Sequence, residues 1–133
     1  MAATGLDMQM EGLTVSSKPS TRIIEFKGEF VGQHFWVQMW LLPHAVFVWV
    51  GLDGTPVRMG SMSMAVKTRY DALPLSSSLL GAGTDEIEQQ MAQRLVLRTG
   101  KQVFVSCNLP DEDMDLSAYV ERTILQHLRD VSP

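Results

Sequence analysis

Residues able to do acid–base, metal or nucleophilic chemistry are present in this chain, but none stands in a spacing that such chemistry requires. The three histidines, His34, His44 and His127, fall on separate segments with no Cys–His or His-x-His spacing, so no metal site is expected. Asp111, Asp113 and Asp115 imitate the start of a calcium loop. The sixth position of that loop is Leu116 instead of glycine and the twelfth is Arg122 instead of glutamate, so the match fails. Asp115 reads better as a helix cap, with Glu112 and Asp113 in a solvated link. Ser76, Ser77 and Ser78 lack a G-x-S-x-G elbow and a histidine nearby in sequence. Cys107 has no basic neighbour to lower its pKa and reads as a buried or edge thiol. Gly81-Ala82-Gly83-Thr84 before a helix resembles a phosphate nest, but no lysine follows, and Asp85 and Glu86 would repel phosphate. These patterns point away from an enzyme and call for no cofactor and no metal.

Recognition chemistry is better represented. From Phe35 to Val50 the chain is apolar on both strand parities and holds all three tryptophans. Phe35, Val37, Met39 and Leu41 would share one side, and Trp36, Trp40 and Leu42 the other. Only two later segments can form covering helices, which suffice for one face of a sheet. Each such side chain left bare forfeits roughly 1.5–3 kcal/mol relative to burial. A returning helix or a curled sheet would answer this within one chain; a protein partner answers it at lower cost, since Trp and Met are enriched in interface cores. Phe35, Val37, Met39, Phe47 and Trp49 are the candidate partner contacts, with the choice of face left open. Arg69-Tyr70-Asp71 reads either as a local ion pair around a half-buried ring or as an interface anchor. The serines at 77 and 78 would add hydrogen bonds to the same partner.

The elements that must position these residues follow from periodicity and turn chemistry. Thr21–Lys27 predicts a first strand, and Gln33–Leu42 and Ala45–Val50 an antiparallel pair turning at Pro43-His44. Asp53-Gly54 is the next reversal. Met62–Tyr70 alternates as a fourth strand, and a short edge strand is expected to end near Leu80. Thr84 caps a helix whose stripe is Ile87, Met91 and Leu95, with Ala92 and Val96 beside it, and Gly100 ends it. Gln102–Ser106 is a strand. Leu116, Val120, Ile124 and Leu128, spaced by four, define a second helix. The expected class is α+β, a mainly antiparallel sheet of about five to six strands with two helices packed on one face.

Composition narrows the partners. The net charge is −4, with no run of Lys or Arg, which disfavours nucleic acid and anionic membrane. No apolar run approaches the roughly 20 residues of a membrane helix. The first ten residues carry no secretory pattern, and the single cysteine suits a reducing compartment, cytoplasm or nucleus. Residues 1–20 read as a flexible tail and 21–131 as a single domain.

Several segments in order carry a family resemblance: Phe47-Val48-Trp49-Val50-Gly51, Ala65-Val66, Arg69-Tyr70-Asp71, Pro74-Leu75-Ser76, Ser78-Leu79-Leu80-Gly81, Ala92-Gln93-Arg94-Leu95, Thr99, Lys101 to Ser106, and Asn108-Leu109. Together, over about residues 44–130, they resemble the proteasome assembly chaperone 4 family. That resemblance implies a non-catalytic chaperone with a small α+β domain. It would pair with a proteasome assembly chaperone 3-like protein and help assemble the 20S proteasome alpha ring. It would contact alpha subunits, the fifth first, through Arg69, Tyr70, Asp71, Ser77 and Ser78. The 52–62 loop with Arg58, Met59 and Met62, the long start and Cys107 depart from the family pattern. The alternative from the elements alone is a small dimeric α+β scaffold or adaptor in membrane traffic or small-GTPase signalling.

Overall fold

The computed structural model describes residues 21–54, 56–81, 86–110 and 114–131. Six strands, β1 (Arg22–Phe30), β2 (Gln33–Leu41), β3 (Ala45–Leu52), β4 (Met62–Val66), β5 (Leu75–Leu80) and β6 (Gln102–Asn108), form one sheet in the order β1-β2-β3-β6-β4-β5. Helices α1 (Glu86–Thr99) and α2 (Met114–Val131) cover one face. The expected residues 1–20, Thr84, Asp85 and the 111–113 link lie outside the described residues.

The sheet is mixed. β3 and β6 run parallel while the other neighbours are antiparallel. A helix between β5 and β6 makes this possible, because a strand delivered by a crossover can enter the middle of a sheet. The two antiparallel pieces, β1-β2-β3 and β4-β5, are therefore joined only through β6.

The largest differences from the expected strand limits are at the ends of β1 and β4, while β3 and β6 each run two residues further than expected. β1 continues through Gly28 to Phe30, because the Phe35 ring lies where a Gly28 side chain would project, 2.4 Å from an ideal Cβ. The two-residue turn Val31-Gly32 has positive φ at both positions, 50° and 78°, the pattern that suits the twist of a hairpin. β4 stops at Val66 instead of Tyr70, since β5 begins opposite Val66 and β6 reaches only Ala65. Beyond that point no strand offers hydrogen bonds.

The core lies between the sheet and the helices. Phe35, Val37, Met39, Val46, Val48, Val50, Val103 and Val105 form its floor. Met91, Leu95, Leu116, Val120 and Ile124 form its roof, as their spacing predicts. Gly100, at φ 71°, ends α1 and donates its N–H to the Val96 carbonyl at 2.8 Å. Asp115 sits in the first turn of α2, one residue inside the helix instead of capping it. Arg94 of α1 makes a two-pronged bond to Glu121 of α2, both at 2.7 Å, and that bonding raises the guanidinium pKa further.

Candidate protein-docking face

With both helices on one side, the other parity of every strand faces away from them. Register aligns these residues into a band across the sheet. Ile23 pairs with Trp40, Trp40 with Phe47, Phe47 with Phe104, and Phe104 with Met64. Val66 and Leu75 pair on the same side at the far edge. Ile23 is 60% exposed and Trp40 41%; Phe47, Phe104 and Met64 are half-buried. The Trp40 and Phe47 rings lie 5.7 Å apart. Large apolar side chains in a continuous strip are the signature of a protein contact surface rather than a substrate pocket.

Among the described residues, cover on this face comes at one end. Leaving β3, residues 56–61 cross over β6 to reach β4 as a strap. The Trp49 Nε1–H donates to the Arg58 carbonyl at 3.1 Å, and the Gly60 N–H donates to Asn108 Oδ1 at 2.9 Å. The Ser106 hydroxyl donates to the Ser61 carbonyl at 2.6 Å. Gly51 lets the Trp49 ring lie flat beneath the strap: an ideal Cβ there would stand 2.4 Å from the indole. Trp36 meets Trp49 edge-on at 5.5 Å. Trp49 is thereby buried, although it belongs to the open parity.

The anchor of the strap is Glu88, a charged-type residue on the buried stripe of α1 and only 1% exposed. It accepts hydrogen bonds from the hydroxyls of Ser61 and Ser63, both at 2.6 Å, and from the Cys107 N–H at 2.8 Å. One side chain therefore ties α1, β4, β6 and the strap together. Its signal in the sequence is its place three and four residues before Met91 and Ala92, where an apolar residue belongs.

The candidate residues divide accordingly. Phe35, Val37 and Met39 are fully buried beneath the helices and offer no surface to a partner. The assignment of those three as contacts is corrected by the helix-covered parity of β2. Phe47 lies in the open band, and Trp49 under the strap beside it. Trp40, Phe104 and Met64 complete the band. Arg69, Tyr70 and Asp71 sit together in the β4–β5 connection, with Tyr70 95% exposed. Among the described residues no ion pair joins Arg69 to Asp71, so the local clasp around a half-buried ring is not what forms. Ser77 opposes Met64 on the open parity, whereas Ser78 opposes Ser63 on the helix side. The two serines do not share a surface.

Among the described residues no cluster of His, Cys, Asp and Glu could hold a metal ion. His127 stacks on Phe26 at 3.8 Å with Nδ1 2.9 Å from the Thr123 carbonyl, and Cys107 is buried. No described helix is long and apolar enough to cross a membrane.

Comparison with known proteins agrees with a docking module. The family model for proteasome assembly chaperone 4 matches residues 34–109. The chain belongs to the proteasome assembly chaperone 4 family. Human proteasome assembly chaperone 4 is 35% identical over 119 residues, covering 90% of this chain and 94% of the human protein. The mouse protein is 38% identical over 95 residues, covering 71% and 73%. Among solved structures, a chain from a chaperone complex for yeast 20S proteasome assembly superposes with a TM-score of 0.58 at 17% identity. The superposition covers 84% of this chain and 94% of that one, and shows the fold in common. The family match spans β2 to β6, and so includes the strap and the open band from Trp40 onward.

Proposed function

We propose that this protein is a non-catalytic chaperone for assembly of the 20S proteasome alpha ring, working as one half of a pair with a proteasome assembly chaperone 3-like protein. The observation that carries the pairing is the uncovered band Trp40–Phe47–Phe104–Met64, in a chain whose helices are already committed to the other face. Family membership supplies the process. Arg69, Tyr70 and Asp71, which leave the sheet beyond the end of β4, are then free to hold an alpha subunit, with the fifth the first candidate. The site of action is the cytoplasm or the nucleus.

The test is co-expression with a chaperone 3-like partner. A 1:1 complex is expected, and Phe104→Glu should abolish it while circular dichroism and the melting curve show an intact fold. Arg69→Ala should leave the pair intact and weaken capture of free alpha subunits. A Phe104→Glu chain that still pairs would remove the open band from the interface. Co-purification with trafficking proteins and no proteasome subunit would favour the adaptor alternative.

A further inference from the structure

Cations predominate at one end of the molecule. β1 starts opposite the end of β2, and β3 and β6 both start at that same end. Both helices finish there: α1 hands directly to the start of β6, and α2 runs back from its far end. Arg22, Arg98, Lys101 and Arg129 gather at this end, and Lys67 and Arg69 leave the sheet beside it. Asp71 and Asp130 lie at this end too, and the opposite end carries Glu29, Asp53, Glu86 and Asp115 together with Lys27 and Arg58. A chain of net charge −4 has thus concentrated about half its cations at one pole.

Between the helix C-termini and the sheet this pole holds a cleft of about 290 Å³. Leu41, Val46 and Leu128 form its apolar floor, and Arg98, Lys101 and Arg129 stand on its walls. Arg22 enters beside it, in register with Leu41. Among the described residues none of these four cations has an ion-pair partner. Lys101 Nζ makes one long contact, donating to the Leu42 carbonyl at 3.4 Å.

Dipole compensation explains only part of this. Two parallel helix C-termini amount to roughly one negative charge between them, which Arg98 and Arg129, with Asp130 beside the latter, about offset; Lys101 and Arg22 remain in surplus. We propose that this cleft is a docking site for an acidic protein segment, one whose carboxylates meet the cations while a neighbouring aliphatic side chain rests on the apolar floor. Guanidinium groups grip carboxylates in a two-pronged geometry. A compact phosphate is less suited, because it leaves the apolar floor bare and is best held by free backbone N–H groups. The nearby N–H groups of Gly100 and Lys101 are already given to Val96 and Thr99. Nucleic acid finds no aromatic platform in the cleft and an acidic pole on the same molecule. The cleft lies on the helix side of the sheet, so an acidic segment and a partner on the open face can bind together.

The test uses the full chain and a fluorescent peptide in which glutamates flank a leucine, read by anisotropy at low salt. Saturable binding is expected, at least about tenfold weaker when the glutamates are replaced by glutamine, and weakened by added salt. Combined Arg98→Gln, Lys101→Gln and Arg129→Gln should reduce affinity by a similar factor with the melting curve preserved. Arg122→Gln, on α2 outside the cleft, should change little. If melting falls, single Lys101→Gln, which lies outside both helices, must still weaken binding. Equal affinity for the glutamine peptide, an unaffected variant, or competition by inorganic phosphate or an oligonucleotide at equal concentration would overturn the proposal.

Discussion

Glu88 shows how much can rest on a single side chain. Replacing it with alanine would leave the hydroxyls of Ser61 and Ser63 and the Cys107 N–H facing a void where their acceptor stood. Unsatisfied buried donors cost about 1–3 kcal/mol each, and partial relaxation should hold the total for Glu88→Ala near 3 kcal/mol or more. Glu88→Gln keeps one oxygen but turns an amide NH2 toward donors, so an intermediate loss is expected. Urea denaturation of the three proteins gives the ranking; an alanine variant as stable as the parent would mean that the clamp contributes little. The polar group on an apolar stripe is visible in the sequence. Its partners are not, because Ser61, Ser63 and Cys107 come from elements distant in the chain.

At the scale of elements, the strap decides how much of the open face is available. It roofs Trp49 and leaves Trp40, Phe47 and Phe104 uncovered. Gly51→Ala should push the Trp49 indole out from under it and break the bond to the Arg58 carbonyl. A loss of about 1–3 kcal/mol is expected from overpacking, with red-shifted tryptophan emission as the strap lifts. Unchanged emission would show that the indole repacks beneath it. The strap could not be read in advance, since Asp53-Gly54 looks like an ordinary reversal between neighbouring strands. β3 and β4 are not neighbours; β6 lies between them. By contrast, both helices were legible from Met91–Leu95 and Leu116–Leu128, where periodicity alone suffices.

For the whole molecule, the two faces of the sheet have opposite fates. Two helices cover one, and the other keeps an apolar band that no described helix covers. The chain alone should therefore self-associate at micromolar concentration in sedimentation velocity, and Trp40→Glu should return it toward a monomer. A stable wild-type monomer would show that the band is tolerated in water. The excess of apolar residues between Phe35 and Val50 announced this face, but parity could not say which half was spare. That required knowing where Phe104 lands, and a strand of seven residues following a helix carries no label for its neighbours.

The central place of β6 has a consequence for how the protein is made. Its residues, 102–108, are synthesised after the other five described strands, yet they are the seam in the sheet between the meander β1-β2-β3 and the hairpin β4-β5. Until they leave the ribosome, both pieces expose bare inner edges, β3 on one and β4 on the other, ready to pair with any extended chain nearby. The sheet can close only after β6 has been made. A member of a chaperone family is, for that interval, itself in need of protection.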